Sequence, residues 1–217
     1  MNRGFIIEIE GTNGAGKTTL SKMLYKNLKS KGYPVELVRE PGGSYEAEKI
    51  RELAVIDDGT SKLGELTGFF LFMASRAQLI FDKAEKDLAD GKALIYDRYE
   101  DSTRVYQGIL ANIGLMNVNT MLDSVFKDYK PAVTVLLDVE PSLGMERANR
   151  DGVETNKYDK QPLEYYKKVR EAYRNIFDER IKTDKHCYIL DSNRELNIVY
   201  EELFNVIEAE IKDRLKR

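Results

Sequence analysis

A glycine-rich stretch between an apolar run and an amphipathic segment narrows the possible folds more than any other part of this sequence. The stretch EGTNGAGKTT spans residues 10–19 and follows the apolar run FIIEIE at residues 5–10. Residues 18–31 come next, with leucines and a methionine at helical spacing. Because closely spaced glycines disfavour both a helix and a packed core, we expect a loop that joins a strand to a helix.

The glycines of this loop fit the phosphate-binding pattern G-x-x-x-x-G-K-[ST], which here runs from Gly11 to Thr18. Glycine lets successive backbone N–H groups turn toward one anion, and the N-terminus of the following helix adds positive potential. Lys17 can reach the β- and γ-phosphates of a nucleoside triphosphate, and the Thr18 hydroxyl can bind Mg²⁺. The predicted nucleotide-binding residues are Gly11, Thr12, Asn13, Gly14, Ala15, Gly16, Lys17, Thr18 and Thr19.

Strand-like runs alternate with longer helical patterns along the rest of the chain. The runs lie at residues 5–10, 34–39, 93–97, 132–139 and 186–190. Two of them are almost continuously apolar, as expected of parallel strands covered by helices on both faces. The connections are long enough for helical crossovers. With the phosphate loop, this pattern predicts a doubly wound α/β fold, namely a three-layer P-loop nucleotide-binding fold with a five-stranded parallel sheet covered by helices on both faces.

Composition limits the classes of protein. A chain of 217 residues with 42% hydrophobic content is predicted to form one domain, residues 1–217. Lysine plus arginine number 34 and aspartate plus glutamate 37, so the net charge of −3 favours neither nucleic acid nor a membrane as a partner. No apolar run in the sequence approaches the length of a membrane span. The single cysteine, Cys187, fits a reducing compartment, so a cytoplasmic location is expected.

Polar clusters follow the predicted strands, at the carboxyl ends where the ligand crevice of an open parallel sheet lies. The clusters are REPGG at 39–43, DRYEDSTRVYQG at 97–108, DVEP at 138–141 and DSN at 191–193. Each cluster alone could be a solvated loop or a cap. Together they predict a site that faces the phosphate loop.

With these motifs, the chain resembles the thymidylate (dTMP) kinase family. The motifs occur in the family's order up to about Asp191: EGTNGAGKTT, REPGG, IRELA (50–54), FMASRAQ (72–78), DRYEDSTRVYQG, LLDVEP (136–141), and Arg147 with Arg150. The resemblance implies an enzyme of dTTP supply that transfers the γ-phosphoryl group of ATP to dTMP, with Mg²⁺, giving dTDP and ADP. It also implies a homodimer formed through helices around residues 63–80 and 115–128.

By this resemblance, residues of two motifs hold the acceptor nucleoside. Phe72 is expected to stack on the thymine ring, and Arg76, four residues later on the same helix face, to donate a hydrogen bond to the base. Tyr106 is expected to lie against the 2′ carbon, so that deoxyribose is preferred. The remaining polar contacts to the nucleoside are expected from Ser102, Thr103 and Gln107.

Phosphoryl transfer depends on fixed cations and a metal ion. The resemblance implies that Arg98 and Arg51 hold the acceptor phosphate, with Arg39 nearby. Asp97, at the end of a predicted strand, can organise Mg²⁺ and its waters together with Thr18. Glu40 is a weaker candidate for the same shell. The predicted catalytic residues are Lys17, Asp97, Arg98, Arg147 and Arg150.

Several positions depart from the family's pattern. Gly14 stands where one subgroup carries an arginine in the phosphate loop, and Asn13 where other members carry an acidic residue. The chain should therefore resemble the subgroup of the family that supplies catalytic cations from a small mobile lid, here residues about 147–160. There Asn156 and Lys157 stand in place of the family's Asp-Arg pair, and lysine lacks the bidentate fork of arginine.

Three alternative functions stay open. Arg104-Val105 stands where a smaller alanine is usual before the tyrosine, so the acceptor range could extend to other deoxynucleoside monophosphates. A deoxynucleoside kinase would also carry a P-loop and a D/E-R motif, but it needs a base at a free 5′-hydroxyl, for which Glu40 is the obvious candidate. A nucleotide-binding switch has no acceptor and gives no purpose to the pair Phe72 and Arg76.

Overall fold

The computed structural model describes residues 3–55, 63–150, 158 and 161–215. Within these residues one sheet has five strands: β1 Phe5–Glu10, β2 Val35–Arg39, β3 Ala93–Asp97, β4 Pro131–Asp138 and β5 Cys187–Asp191. Every strand pair is parallel, and the order across the sheet is β2-β3-β1-β4-β5. The predicted five-stranded parallel sheet is confirmed, and no strand boundary differs from its prediction by more than one residue.

Helices cover both faces of this sheet. The α-helices are α1 Lys17–Ser30, α2 Tyr45–Val55, α3 Glu65–Leu79, α4 Glu85–Ala89, α5 Glu100–Thr103, α6 Leu115–Val125, α7 Pro141–Arg150, α8 Leu163–Arg180 and α9 Leu196–Leu215. A π-helical turn, Ile80–Ala84, joins α3 to α4, and a second one, Arg104–Leu110, continues α5. A short 3₁₀ turn, Lys127–Tyr129, precedes β4. No helix in the described part of the chain is both long and apolar enough to cross a bilayer.

The alternation of side chains along β1 separates two apolar layers. Ile7 and Ile9 are fully buried against helices α1 and α9, in a cluster that also includes Leu24 of α1. Ile6 points to the opposite face and packs in a cluster that includes Phe69 of α3. Burial of each such side chain stabilises the fold by about 1.5–3 kcal/mol. Both faces of the central strand are therefore tied to helices.

The strand order places the phosphate loop at the centre of one sheet edge. β1 lies between β3 and β4, so Glu10, Asp97 and Asp138, the last residues of these three strands, meet at that edge. The backbone N–H of Arg98 donates to the carbonyl oxygen of Ile9 at 3.1 Å, which ties the end of β3 to the start of the loop. The polar clusters predicted after the strands thus share one edge, where a ligand crevice of this fold lies.

Candidate active site

The phosphate loop joins β1 to α1 and depends on backbone that only glycine adopts readily. Gly14 has φ 74°, and a Cβ atom there would lie 1.9 Å from the carbonyl oxygen of Gly144 in α7. Gly16 is the N-cap of α1 and no side chain caps the helix, so its first N–H groups point at the loop. Lys17 is buried, and its Nζ donates to the carbonyl oxygens of Gly11 at 2.9 Å and Thr12 at 2.7 Å. The loop therefore concentrates positive charge and N–H donors.

The two residues predicted to bind Mg²⁺ lie side by side. The Thr18 hydroxyl, in the first turn of α1, donates to Oδ2 of Asp97 at 2.6 Å. Asp97 ends β3, and its side chain is almost fully buried. A hydroxyl and a carboxylate oxygen are hard ligands of the kind that Mg²⁺ prefers. The arrangement fits the ion chemically, and its binding stays a prediction.

Arg98 lies between the phosphate loop and α5. Its Nη2 donates to Oδ1 of Asn13 at 2.5 Å, and its Nη1 to the carbonyl oxygen of Gly11 at 3.3 Å and to the Ser102 hydroxyl at 3.2 Å. The residue has φ 70°, a left-handed conformation that costs free energy for any residue with a side chain. The guanidinium contacts both the loop that would hold the donor and the helix that would hold the acceptor.

One cavity of about 350 Å³ joins these groups. It is lined by Lys17, Thr18 and Thr19 of the loop and helix α1, and also by Asp97. Every residue predicted to bind the acceptor lines it as well: Arg39, Glu40, Arg51, Phe72, Arg76, Arg98, Ser102, Thr103, Tyr106 and Gln107. The structure therefore brings the predicted donor and acceptor residues together, and their individual roles stay predictions.

A buried ion pair lies beside the aromatic part of this cavity. Nε of Arg76 and Oε2 of Glu40 are 2.7 Å apart, and both side chains are 4% exposed. Arg76 also donates through Nη2 to the carbonyl oxygen of Tyr99 at 3.0 Å and to the Thr103 hydroxyl at 3.2 Å. Burial raises the pKa of the Glu40 carboxyl to about 7, although Arg76 opposes the shift. The structure thus places Glu40 against Arg76, and its predicted place in the metal shell is untested.

Sequence reasoning missed Glu48, which holds both outer arginines of the site. Its Oε1 accepts from Nη2 of Arg39 at 2.6 Å and from Nη1 of Arg51 at 3.1 Å, while its Oε2 accepts from the N–H of Gly43 at 3.3 Å. The side chain of Arg39 is half exposed, whereas that of Arg51 is 17% exposed. The spacing of Glu48 and Arg51 on one helix was the available signal for this contact.

Tyrosines that no motif contains complete the aromatic wall. The ring centroid of Tyr158 lies 6.4 Å from that of Phe72 and 5.3 Å from that of Tyr106. The Tyr158 hydroxyl accepts from Nε2 of Gln107 at 3.4 Å, and the Tyr166 hydroxyl donates to the Tyr158 carbonyl oxygen at 3.1 Å. Burial raises the pKa of Tyr158, so its hydroxyl is neutral at physiological pH. The tyrosine density after residue 157 was the signal that could have revealed them.

The predicted lid cations occupy a different place or lie outside the described residues. Arg147 of α7 donates through Nη1 to the carbonyl oxygen of Ser192 at 2.6 Å and through Nη2 to that of Asn193 at 3.3 Å. It therefore lies against the loop after β5 and does not line the cavity. The side chain of Arg150, and most of residues 151–160, lie outside the described residues. The catalytic roles of the two arginines stay predictions. Asn156 and Lys157 lie outside the described residues, so their effect on the lid stays a prediction as well.

Comparison with known proteins now decides the family. A family model described as thymidylate kinase matches residues 9–203. The chain belongs to the thymidylate kinase family. A thymidylate kinase of Shouchella clausii (strain KSM-K16) is 35% identical over 211 residues, which cover 95% of this chain and 96% of that protein. A thymidylate kinase of Rickettsia typhi (strain ATCC VR-144 / Wilmington) is 36% identical over 192 residues, which cover 87% and 92%.

A solved structure agrees with these sequence relatives. The crystal structure of thymidylate kinase from Ehrlichia chaffeensis superposes with a TM-score of 0.73 at 26% identity, and the match covers 95% of this chain and 99% of that one. The predicted P-loop fold is confirmed by this similarity and by the observed sheet. Family membership confirms the prediction of an enzyme of the phosphotransferase class.

Proposed function

We propose that the chain transfers the γ-phosphoryl group of ATP to the 5′-phosphate of dTMP, giving dTDP and ADP. One observation carries this proposal: a single cavity is lined both by Lys17 and Thr18 of the phosphate loop and by Phe72 and Arg76, with Arg98 in contact with the loop. A switch without an acceptor needs the first pair alone. The second pair offers an aromatic face and a fixed donor, which suit a base.

Positioning and electrostatics supply the catalysis in this mechanism. Lys17 and the N-terminus of α1 would hold the donor phosphates, and Arg98 would neutralise charge that develops between donor and acceptor. Because arginine stays protonated at any physiological pH, Arg98 can neutralise this charge without giving up its proton to the substrate. An acceptor phosphate that is already ionised needs no strong base, which is consistent with a cavity whose described lining residues include no histidine.

We propose that Thr18 and Asp97 hold a Mg²⁺ ion that enters with ATP. Their oxygen atoms, 2.6 Å apart at the end of β3, fit the ion's preference for oxygen ligands. When bound, the ion would neutralise charge on the β- and γ-phosphates. The chain's own part is to keep both oxygen atoms at one point beside Lys17, which lies next to Thr18 in the first turn of α1.

The acceptor side of the cavity offers a hydrogen-bond donor to a base that carries a carbonyl oxygen, as thymine does. Nη1 of Arg76 is buried and has no hydrogen-bond partner among the described residues. An unpaired buried donor costs free energy, and a carbonyl oxygen of thymine would remove that cost. Arg104 and Val105, which raised the alternative of a broader acceptor range, do not line the cavity: Val105 is fully buried and Arg104 pairs with Glu100 and Asp101. A narrow preference for dTMP is therefore the reading we propose.

The decisive experiment is ADP production from Mg·ATP with dTMP, dUMP, dGMP, dCMP and thymidine as separate acceptors. For Arg98→Ala we expect the dTMP-stimulated rate to fall on the order of 10²–10³-fold, as for removal of a preorganised charge-stabilising donor. Arg174→Ala, which replaces a partly exposed arginine of α8 outside the cavity, is the control and should keep the wild-type rate. Faster turnover of thymidine than of dTMP, or no stimulation by any acceptor, would contradict the proposal.

We also propose a homodimer that forms through α3 and α6. Large apolar side chains on these two helices are 38–78% exposed: Leu66, Phe70, Leu115, Met116 and Val125. A monomer that exposes such a patch leaves apolar area available for association.

Within each protomer, we propose that residues 1–217 act as one domain with a lid at about 147–160. The free, buried Cys187 supports a reducing, cytoplasmic setting.

A further inference from the structure

Glu10, the last residue of β1, is a fully buried carboxylate that accepts four hydrogen bonds. Its Oε1 accepts from the backbone N–H groups of Tyr99 at 2.8 Å and Ser102 at 2.9 Å. Its Oε2 accepts from the Ser102 hydroxyl and the Tyr173 hydroxyl, each at 2.8 Å. One side chain next to the phosphate loop thus fixes the residues after β3, helix α5 and helix α8 relative to one another.

The same two hydroxyl groups hold the guanidinium of Arg98. Nη1 of Arg98 donates to the Ser102 hydroxyl at 3.2 Å and to the Tyr173 hydroxyl at 3.4 Å. A hydroxyl has one proton and two lone pairs. When both protons point to Oε2 of Glu10, the lone pairs are left to face Arg98. The two hydroxyl groups also lie 2.9 Å from each other, where either could donate. Because a carboxylate is a stronger acceptor than a hydroxyl, Glu10 draws both protons toward Oε2 and so sets the direction of both groups.

The backbone of Arg98 depends on Glu10 as well. With φ 70°, Arg98 adopts a conformation that residues with a side chain rarely take, so its neighbours must hold it there. The peptide N–H that follows it, that of Tyr99, donates to Glu10. The Glu10 carboxylate thus holds the backbone next to Arg98 directly and holds its guanidinium through the two hydroxyl groups.

We infer that Glu10 is a positioning residue for the proposed phosphoryl transfer: it orients the Ser102 and Tyr173 hydroxyl groups and thereby holds Arg98 between the phosphate loop and the acceptor. This inference rests on the proposed function, since it assigns Glu10 a part in that reaction. Glu10 does not line the cavity in which the substrates would bind. It acts through Arg98.

Glu8 provides a matched control on the same strand. It is two residues earlier in β1, points to the same face of the sheet and is equally buried. Its Oε1 accepts from the N–H of Asp101 at 2.7 Å, and its Oε2 has no partner among the described residues. Glu8 contacts neither of the hydroxyl groups that hold Arg98, so replacing it tests the loss of a buried carboxyl group in β1 without removing a contact of Arg98.

The test compares Glu10→Gln with Glu8→Gln in the full chain. Glutamine keeps the shape of the side chain but turns an NH₂ donor toward groups that are donors themselves. We expect kcat with dTMP to fall on the order of 10²-fold, the loss typical of a misplaced catalytic group. The Kd of ATP measured without acceptor should change little, because Lys17 and the loop backbone remain. Glu8→Gln should keep the wild-type kcat.

A double-mutant cycle separates positioning from general damage. In an Arg98→Ala background, Glu10→Gln should cause little further loss of kcat, because the group that it positions is already gone. Tyr173→Phe removes one hydroxyl partner without altering the carboxylate. It should lower kcat in the wild-type background and not in the Arg98→Ala background, which keeps the inference testable if Glu10→Gln fails to fold.

Several results would overturn the inference. They are an unchanged kcat in a folded Glu10→Gln variant, an equal loss in Glu8→Gln, or the same fold-loss from Tyr173→Phe with and without Arg98. In each case an active wild type leaves the proposed function intact. A wild type that dTMP does not stimulate overturns the proposed function, and the role of Glu10 in that reaction with it.

Discussion

Glu40 and Arg76 show how a single buried pair can make the stability of the fold depend on pH. Burial raises the pKa of the Glu40 carboxyl from 4.5 to about 7, although Arg76 opposes the shift. The folded chain therefore keeps this proton to a higher pH than the unfolded chain. The stabilising contribution is fully present below pH 4.5 and is lost as the pH rises through about 7.

Glu40→Gln should remove this dependence, because a carboxamide does not titrate. We expect the free energy of unfolding of the wild type to fall relative to that of the variant as the pH rises from about 4.5 to about 7. Urea unfolding at a series of pH values measures the difference. Two curves that stay parallel across this window would show that Glu40 has an ordinary pKa in the folded chain.

The sequence identified residues that face the cavity better than the residues that hold them. Phe72 and Arg76 could be found because they occupy a recognisable motif on a helix, and Tyr106 because it occupies one that follows a strand. Tyr173 could not, since it acts through Glu10, which only the folded chain brings close. Glu48 left a partial signal, because its spacing to Arg51 was visible but its contact with Arg39 depends on the fold. Arg147 shows the opposite case: a motif named it, and its neighbour in the folded chain is the backbone after β5.

A buried ion pair ties helix α8 to helix α5. Asp101 is fully buried and accepts from both terminal nitrogens of Arg180, at 2.6 and 2.7 Å. Arg180 and Arg104 lower the pKa of Asp101, although burial opposes the shift. Through this pair, the helix that carries Tyr173 is joined to the helix that carries Ser102. The ion pair thus fixes the positions of Tyr173 and Ser102 relative to each other.

Arg180→Ala should destabilise the fold by about 3–5 kcal/mol, because it leaves a buried carboxylate with too little compensating charge. Lys182→Ala is the matched control near the same end of α8. Its partner Glu179 is 75% exposed, so the loss should be at most about 1 kcal/mol. Urea unfolding of both variants gives the comparison. Equal losses would mean that the Asp101–Arg180 pair has no special weight.

The chain that leads into β3 is not one continuous α-helix. Helix α3, the π-helical turn Ile80–Ala84 and helix α4 follow one another there, and a second π-helical turn holds Tyr106 and Gln107. Apolar spacing indicates that a helix is present, but a π-turn adds one residue to a turn without changing composition. The interruption therefore depends on packing and could not be deduced from the sequence.

The order of strands across the sheet depends on how the crossover connections run, and the sequences of the strands do not reveal it. Each strand could be recognised by its apolar run. Its neighbours could not, because β1 pairs with β3 and β4, which lie far along the chain. The central place of β1 nonetheless explains why one loop meets polar groups from several strands.

The proposed dimer makes the apolar patch on α3 and α6 sensitive to charge. Phe70 is 51% and Met116 78% exposed. Phe70→Asp and Met116→Asp should each shift the chain toward the monomer, because an interface would have to bury the new carboxylate. Ile198→Asp, half exposed on α9 at the other face of the sheet, is the control. Sedimentation at several concentrations distinguishes the forms, and a monomeric wild type would contradict the proposal.

The close approach of Gly14 and Gly144 has an evolutionary consequence. A Cβ on Gly14 would meet the Gly144 carbonyl oxygen at 1.9 Å, and a Cβ on Gly144 would meet the Asn13 carbonyl oxygen at 2.7 Å. Neither position can therefore drift to a larger residue while α7 stays where it is. A lineage that acquires an arginine at the position of Gly14 must first move its counterpart of α7 away, so the two changes are expected to be inherited together.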